Sequence, residues 1–328
     1  MLCRLLILNT ISFKYKMQLK VNNKFLTPSL FSKQNVISII EDLVITPRLM
    51  ALEWSKFTKQ TPNLKVGYPG QHIASIITGV EGEKTGARGN DLKDGTELKS
   101  CSRIDQMDKC KKCKFGVARI ENYCENCGSK EINRVNDSKW LLTLRNEEDI
   151  DLLLNKVPRI LFLIGDYPNF SLSDFDTIRF QAFEIWPNSK RSVQFRSIIE
   201  NYYFKIYLEH KKINPNKTPA PKNFWPYSYQ FYLSNPIKIF ECVVNNANTN
   251  DYSIKVNLLI DPDFDRNELS SEDMPLEILN SEEIELIKKN FNIKDLNFID
   301  EEKRSILSLR DTDKITSSNS VYKRRGLK

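Results

Sequence analysis

Apolar residues recur along this chain with two spacings, one typical of strands and one typical of helices. Continuous or alternating apolar runs predict strands at 139–145, 159–165, 178–185, 231–233, 237–244 and 252–260. Apolar residues three and four apart predict helices at 147–154, 193–210, 281–291, 301–309 and from Thr46 onward. Strands and helices alternate through the middle of the chain, and this order predicts an α/β fold.

A further helix is predicted around residues 70–80, just before a polar turn. The stripe that this helix would bury consists of Ile73, Ile76, Ile77 and Val80. His72 lies off that stripe, so we expect it to face solvent or a bound partner and not a metal ion.

Residues 89–100 combine turn residues with alternating polar and apolar positions, which is the pattern of a short β-hairpin. Glu97 and Lys99 are two residues apart on one strand, so their side chains share a face. Leu98, between them, points into the core. The hairpin would therefore present a carboxylate and an ammonium group side by side.

The length of the turn decides which aspartate joins Glu97. A three-residue loop at 93–95, with Gly95 in the left-handed conformation, pairs Asp91 with that glutamate and brings both carboxylates onto one face. A two-residue loop would turn Asp91 away and leave Asp94 as the nearby acid. We favour the three-residue loop, and the shorter loop is the alternative.

Two carboxylates and a lysine at one point suit the hydrolysis of a phosphodiester. Carboxylate oxygens bind hard divalent cations, and such a cation polarises a phosphate and acidifies a bound water. Lys99 would orient that water or neutralise the developing charge. The alternative is an ordinary hairpin in which Glu97 and Lys99 are exposed strand residues.

Four of the seven cysteines form two close pairs at the spacing of a zinc ribbon. The pairs are Cys110 with Cys113 and Cys124 with Cys127. Four thiolates suit tetrahedral Zn²⁺ and leave no open coordination position, which predicts a structural site. Two disulfides would need an oxidising compartment that no other feature supports. The cysteines expected to stay unpaired, as in a reducing cytoplasm, are Cys3, Cys101 and Cys242.

The ribbon, taken as 105–135, begins close behind Lys99. We therefore expect it to be inserted at the edge of the catalytic sheet, beside the active site. Residues 84–139 contain thirteen basic and nine acidic side chains. Lysines cluster at the first cysteine pair, at Lys109, Lys111, Lys112 and Lys114. This cluster is compatible with a phosphate-binding surface and equally with an ordinary solvated one.

Length and composition are those of a globular chain with a modest basic excess. The 328 residues are 40% hydrophobic and 28% charged, enough for a sizeable core and up to two domains. The net charge of +7 favours polyanionic partners. The apolar run at 5–8 is too short for a membrane span, and no cleavage site follows it, so we expect neither a membrane partner nor export.

Four prolines between 214 and 226 predict an extended linker, so we divide the chain near residue 213. Met17 is an alternative initiator to Met1. The predicted regions are an N-terminal extension at 1–34, a catalytic core with the ribbon insertion at 35–212, a C-terminal α+β region for DNA recognition or dimerisation at 213–310, and a disordered basic tail at 311–328.

Asp91, followed after a short gap by Glu97, Leu98 and Lys99, resembles the active-site motif of the PD-(D/E)xK nuclease superfamily. Residues 66–100 as a whole are similar to the helix, loop and hairpin of MutH-like nicking enzymes and related restriction endonucleases. The ribbon insertion and the remainder of the chain are similar, less closely, to the MamI-like restriction endonucleases.

The resemblance implies that Asp91 and Glu97 hold Mg²⁺ and that Lys99 acts on the attacking water. It also implies a restriction-endonuclease-like mixed sheet flanked by helices, with the four-cysteine zinc ribbon inserted and an α+β part at the C-terminal end. The chain departs from the family at Ser75, where the helix often contributes a further glutamate. The candidates to replace that glutamate are Glu53, Glu81 and Glu83.

Together these features favour a Mg²⁺-dependent, sequence-specific type II restriction endonuclease of the cytoplasm that acts on double-stranded DNA. We expect a homodimer and a cognate methyltransferase encoded nearby. The wide apolar band of the helix at 193–210 is typical of a buried helix, and a dimer interface is the alternative. One alternative is a MutH-like nicking or repair endonuclease with the same catalytic residues. The other is a noncatalytic nucleic-acid-binding protein built around the zinc ribbon.

Overall fold

The computed structural model describes residues 29–60, 62, 67–84, 90–291 and 298–307. Its strands are β1 (Glu97–Ser102), β2 (Asp108–Cys110), β3 (Gly116–Val117), β4 (Ile132–Asn133), β5 (Trp140–Leu142), β6 (Ile160–Asp166), β7 (Ile178–Ile185), β8 (Lys222–Phe224), β9 (Ile237–Asn245), β10 (Ser253–Leu259), β11 (Met274–Pro275) and β12 (Phe298–Ile299). Its helices are α1 (Lys33–Ile40), α2 (Thr46–Thr58), α3 (Gly67–Thr78), α4 (Glu147–Asp151), α5 (Val193–Asn201), α6 (Leu208–Ile213), α7 (Tyr229–Leu233), α8 (Ser281–Phe291) and α9 (Glu301–Arg304). Turns of π-helix adjoin α1, α4 and α5, at Glu41–Ile45, Leu152–Lys156 and Tyr202–Tyr207.

Five strands form a mixed sheet at the centre of the fold, in the order β1-β6-β7-β9-β10. β1 runs parallel to β6, with Glu97 opposite Ile160 and Ser102 opposite Gly165. The other neighbouring strands are antiparallel. Helices pack on both faces of this sheet, so the predicted α/β class with a helix-flanked mixed sheet is confirmed.

β6 shows why the sequence contains an unbroken apolar run at this point. All seven of its residues are buried. Leu161 and Leu163 enter a hydrophobic cluster with α1 and α3 on one face of the sheet, whereas Phe162 and Ile164 enter a second cluster with α5 on the other face. A strand that is covered on both faces is apolar along most of its length, and the one charged residue of β6, Asp166, is paired with Arg179.

The predicted C-terminal region does not form a sheet of its own. β9 pairs with β7 and β10 pairs with β9, so both strands extend the central sheet. The predicted division near residue 213 therefore runs through one continuous sheet and does not separate two. The assignment of DNA recognition or dimerisation to 213–310 stays a prediction.

Two short segments differ from the secondary structure that we predicted. Residues 231–233 lie in the helix α7 and not in a strand, because Ser228 caps that helix by accepting a hydrogen bond from the Phe231 N–H at 3.3 Å. The predicted linker at 214–226 contains β8, which pairs antiparallel with β5. A run of three apolar residues fits either structure, and the local cap decides between them.

Some expectations lie outside the described residues, namely most of the N-terminal extension and the basic tail at 311–328. Within the part of the chain that the structure describes, no helix has both the length and the apolar character needed to cross a bilayer.

Candidate active site

The chain before β1 closes as a three-residue turn. Gly95 has φ +87°, and its N–H donates to the Leu92 carbonyl at 3.0 Å. The Leu92 N–H donates to the Thr96 carbonyl at 3.2 Å, so 93–95 is the loop between these two residues. A positive φ strains any residue with a side chain, which explains the glycine. The loop has the length that the sequence favoured.

The strand pairing around this turn differs from the predicted hairpin. β1 pairs in parallel with β6, and Leu92 forms an isolated bridge outside the sheet. Asp91 and Glu97 are therefore not ladder partners. Asp91 reaches β1 through its side chain instead, because Oδ2 accepts a hydrogen bond from the Leu98 N–H at 2.7 Å. This bond holds the carboxylate beside the stretch of β1 that carries Glu97 and Lys99.

Glu97 and Lys99 lie on one face of β1, as strand periodicity predicts. The Lys99 ammonium donates to Glu97 Oε1 in an ion pair, and 25% of the lysine side chain and 14% of the glutamate side chain stay exposed. Leu98 is buried in the hydrophobic cluster on the opposite face. The ion pair thus faces solvent from a strand whose other side is fixed in the core.

Glu97 and Lys99 line a cleft of about 290 Å³. The other residues that line it come from the end of β5 and from the chain between β5 and β6, namely Leu142, Thr143, Arg145, Asp149, Leu152, Leu153 and Val157. The described residues that line this cleft do not include Asp91, which approaches the ion pair from the turn.

A buried arginine fixes the turn to the central sheet. Arg159 donates to Thr96 Oγ1 at 2.7 Å and to Asp94 Oδ2 at 2.6 Å. It also binds Glu184 Oε1 at 3.1 Å, and this glutamate is fully buried in β7. Asp94, the alternative active-site acid, is therefore committed to an ion pair that supports the turn. Each arm of the Arg159 guanidinium has a partner, so the charge is compensated inside the protein.

The helix α3 packs directly against β1. A Cβ atom at Gly70 would stand 2.6 Å from Ser100 Oγ, which is closer than real Cβ contacts, so a glycine is required for this approach. Further along α3, Ser75 lies near the chain that leads to the turn. A Cβ atom at Gly82 would meet Ser75 Oγ at 3.5 Å and the Asp91 carbonyl at 3.8 Å. The serine thus occupies the neighbourhood in which the family resemblance places a helix acid.

The acids considered as replacements do not complete a three-acid group with Asp91 and Glu97 among the described residues. Glu53 and Glu81 each form an exposed ion pair with a neighbouring lysine. Glu83 contacts Asp91 through its backbone, where its N–H donates to the carbonyl at 2.9 Å, and its side chain is exposed. The site therefore rests on two carboxylates.

Two carboxylates fit a magnesium ion. Within the described residues, Asp91 Oδ1 and Glu97 Oε2 accept no hydrogen bond, so both oxygens are available as ligands for a metal ion. Mg²⁺ prefers oxygen and is commonly held by one or two carboxylates, with water and substrate phosphate completing its shell. The donor set at the start of β1 has this composition.

The four paired cysteines converge beside the small sheet β3-β2-β4. Their Sγ atoms all lie within 4.8 Å of one another, with Cys110 to Cys127 at 3.6 Å and Cys113 to Cys124 at 3.5 Å. A disulfide bond measures about 2.05 Å, so these thiols are not bonded to each other. Two thiolates on a tetrahedral zinc ion would be about 3.8 Å apart. The cluster therefore fits one tetrahedral ion.

Hydrogen bonds already favour the metal-binding thiolate at the first cysteine pair. The backbone N–H of Cys113 lowers the pKa of Cys110. The Asn126 amide, with help from the backbone N–H of Phe115, lowers the pKa of Cys113 to about 6. Burial raises the pKa of Cys124, so a bound cation would be needed to hold all four groups as thiolates.

The ribbon is anchored to the central sheet through arginines that bind a buried aspartate. Asp108, at the start of β2, is fully buried and binds Arg119 at 3.1 Å and Arg134 at 2.8 Å. The Arg119 guanidinium also lies over the rings of Phe170, at 5.0 Å, and Phe175, at 5.4 Å. Both rings belong to the segment that follows β6, so the ribbon docks at the C-terminal end of that strand.

This position corrects the expectation that the ribbon lies beside the active site. β1 spans six residues, so roughly 17 Å separate Glu97 from the strand end that leads into the ribbon. None of the described residues that line the cleft belongs to the ribbon. The connection is short in sequence, but it leaves from the opposite end of the strand.

The remaining thiols and histidines contribute no alternative site among the described residues. Cys101 and Cys242 are buried and free, and burial raises the pKa of both thiols, to about 12 for Cys242. Cys3 lies outside the described residues. His72 is exposed, as expected, and its ring meets the Tyr68 ring edge-on with centroids 4.8 Å apart.

A family model described as MamI restriction endonuclease matches residues 53–277. The chain belongs to this family. Among curated proteins, the type II restriction enzyme MamI of Microbacterium ammoniaphilum is 28% identical over 178 residues, which cover 53% of this chain and 51% of that enzyme. The alignment therefore spans about half the length of the relative. No solved structure matches the chain significantly.

The part of the chain that matches the MamI family begins in α2 and extends beyond β10. It includes the turn, β1, the cleft and the cysteine cluster. The resemblance of the ribbon and the later elements to MamI-like restriction endonucleases is thus confirmed. The roles of the individual site residues stay predictions.

Sequence patterns do not single out three residues of this MamI-family site. Arg145 and Asp149 line the cleft, and Arg159 supports the turn. Asp149 has one usable signal, because it follows Asn146 by three residues, and Asn146 Oδ1 caps α4 by accepting from the Asp149 N–H at 2.8 Å. The two arginines carry no motif, since their surroundings come from segments distant in sequence.

Proposed function

We propose that this MamI-family chain is a type II restriction enzyme, a Mg²⁺-dependent endonuclease that hydrolyses double-stranded DNA at specific sequences. The observation that carries the proposal is the hydrogen bond from the Leu98 N–H to the Asp91 carboxylate, because it holds this acid beside Glu97 and Lys99. Family membership supports the reaction class, since the matched relative is named a type II restriction enzyme.

We assign Asp91 and Glu97 to the magnesium ion and Lys99 to the attacking water. Bound Mg²⁺ supplies a Lewis acid that polarises the phosphate and lowers the pKa of a water. Lys99 faces the cleft with a quarter of its side chain exposed, so its ammonium can donate to an oxygen there. That charge also compensates the negative charge that develops on the phosphate during attack.

For the cysteine cluster we propose one structural Zn²⁺ held by Cys110, Cys113, Cys124 and Cys127. Four thiolates complete a tetrahedral shell and leave no position for a substrate. The location of the ribbon, away from the cleft, also favours a role in folding over one in catalysis.

We assign DNA reading to the ribbon together with elements of the 213–310 region. Lysines on the first cysteine turn support this assignment, because Lys109, Lys111 and Lys112 are exposed and none of them forms an ion pair within the described residues. Unpaired surface lysines are suited to backbone phosphates, which position a protein on DNA.

A homodimer, a nearby-encoded methyltransferase and a cytoplasmic location complete the proposal. Phe204 and Leu208 lie four residues apart on the helical segment after α5, and 50% and 38% of their surfaces are exposed. Such an apolar pair on one helix face supports a twofold interface. The free thiols support a reducing compartment.

The test is digestion of a mapped plasmid by the full-length, zinc-loaded protein with Mg²⁺. We expect discrete linear fragments from the wild type, no cleavage by Glu97→Gln, and normal cleavage by Glu81→Gln, which removes an exposed acid near the same turn. Nicked circles without linear product would favour the MutH-like alternative. A wild type that binds DNA without cutting it in Mg²⁺ or Mn²⁺ would favour the noncatalytic alternative and overturn the proposal.

A further inference from the structure

The cleft beside the Glu97–Lys99 pair is lined by a second basic residue. Arg145 lies three residues after the end of β5, and its side chain is exposed. The cleft thus brings an arginine together with the candidate catalytic pair, although the two segments are more than forty residues apart in sequence.

The backbone of Arg145 is held by the start of α4. The Arg145 N–H donates to Asp149 Oδ2 at 2.8 Å, and the Asp149 N–H donates to Asn146 Oδ1 at the same distance. These reciprocal bonds form a capping arrangement at the helix start. Asp149 therefore takes part in the helix cap. Through its bond to the Arg145 N–H it also fixes the backbone from which the arginine side chain extends.

The other cations around the cleft are occupied by acids. Lys99 is paired with Glu97, and Arg159 binds two acids at once. Lys156 pairs with Asp151 at 2.9 Å on the outer side of the same helical segment. Within the described residues, the Arg145 guanidinium forms no hydrogen bond or ion pair, so it alone among these cations has its charge uncompensated.

We propose that Arg145 binds a backbone phosphate of the DNA strand that enters the cleft and so positions that strand against Glu97 and Lys99. This inference rests on the proposed function and adds a positioning residue to it. A guanidinium presents a planar fork of donors that matches two phosphate oxygens at once, whereas an ammonium is a single point charge. The positive charge of Arg145, which no acid of the described residues pairs with, favours an anionic ligand.

The experiment compares Arg145→Ala and Arg145→Lys with Lys156→Ala, which removes one positive charge from the neighbouring helical segment. Binding to a short mixed-sequence duplex is measured over a range of salt concentrations in the Glu97→Gln background, which does not cut. We expect Arg145→Ala to weaken binding about tenfold or more. The slope of the logarithm of the binding constant against the logarithm of the salt concentration should fall by the equivalent of about one phosphate contact. Lys156→Ala should change neither the binding constant nor this slope.

Single-turnover cleavage of the plasmid with Glu97 intact gives the second readout. We expect Arg145→Ala to cut more slowly even at saturating protein, and Arg145→Lys to restore the salt dependence but only part of the rate, because lysine restores the charge without the fork. Arg145→Ala with the salt dependence and cutting rate of Lys156→Ala would overturn the inference. A wild type that does not cut would overturn the proposed function instead, and the salt dependence would still show whether Arg145 contacts phosphate.

Discussion

The cysteine cluster and the carboxylate site are both candidate metal centres, but they are supported in different ways. The ribbon around the cysteines has a hydrophobic core of only three buried residues, two of which are cysteines. The carboxylate site lies on a strand of the five-stranded sheet, between two large hydrophobic clusters, and Arg159 ties its turn to that sheet.

This difference predicts that the ribbon needs its metal to fold, whereas the carboxylate site folds without one. A core as small as that of the ribbon contributes little toward the entropy of ordering its chain, so we expect the energy of metal binding to supply much of the stability. The carboxylate site is already ordered by the sheet, and a cation there would add chemistry without being needed for folding. Removal of each metal should therefore have a different outcome.

Loss of a zinc ligand should have the largest effect. We expect Cys124→Ala to lose its metal and unfold the ribbon, because structural zinc contributes about 10–16 kcal/mol in comparable modules. The control is Cys242→Ala, which removes a buried thiol from β9 and should cost about 1 kcal/mol with full metal content. Elemental analysis and thermal unfolding of the pure proteins give the comparison, and a zinc-free wild type would refute the zinc assignment.

Removal of the arginine behind the turn should destabilise the central sheet. Arg159→Met leaves the buried Glu184 without one of its cations and frees the turn, so we expect the free energy of unfolding to fall by about 3–5 kcal/mol. The matched variant Arg145→Met changes an exposed arginine that lines the cleft and should stay within about 0.5 kcal/mol of wild type. Equal urea midpoints for the two variants would show that Arg159 does not support the site as described.

The two lysine–glutamate pairs near the turn provide a matched test of catalysis. Lys99 pairs with Glu97 inside the cleft, whereas Lys93 pairs with Glu81 on the surface. We expect Lys99→Ala to cut DNA about a hundredfold to a thousandfold more slowly, because a charge aimed at the reacting phosphate is lost. Lys93→Ala should cut at a nearly normal rate, since exposed ion pairs contribute little. Similar cleavage rates for both would exclude Lys99 from the reaction.

The ribbon lysines should give the smallest effect. We expect the triple change of Lys109, Lys111 and Lys112 to glutamine to lower the salt dependence of DNA binding by about one contact for each lysine that touches phosphate. Zinc content should be unchanged. The control replaces Lys288 and Lys289 of α8 by glutamine and should leave the salt dependence unaltered. If the ribbon variant matched this control, its lysines would be a solvated surface.

Much of the fold follows from local pattern, and the exceptions have physical causes. The strand at 178–185 was predicted with its observed bounds, because both of its faces are buried and every position is constrained. Which strands are neighbours could not be predicted, since β9 reaches β7 only through contacts between distant segments. For the same reason, the sequence did not show that β9 and β10 extend the central sheet, and the ribbon lies farther from the cleft than expected.

Some features of the candidate site also follow from local sequence, and others depend on contacts that exist only in the folded chain. The loop at 93–95 and the shared face of Glu97 and Lys99 follow from glycine conformation and strand periodicity, which are local properties. The way in which Asp91 reaches β1 does not, because it depends on a side-chain bond to a backbone N–H in place of the expected ladder. Arg145 and the buried Arg159 could not be found in the sequence, since their surroundings exist only in the folded chain.

Binding of Mn²⁺ to the zinc-loaded protein, followed by electron paramagnetic resonance, tests most directly whether Asp91 and Glu97 share one divalent ion. We expect one such site per chain in the wild type and in Glu81→Gln. Asp91→Asn and Glu97→Gln should each weaken this site by at least about tenfold and abolish cleavage, while the zinc content and the fold stay intact. An Asp91→Asn variant that bound Mn²⁺ and cut DNA as the wild type does would contradict the shared site.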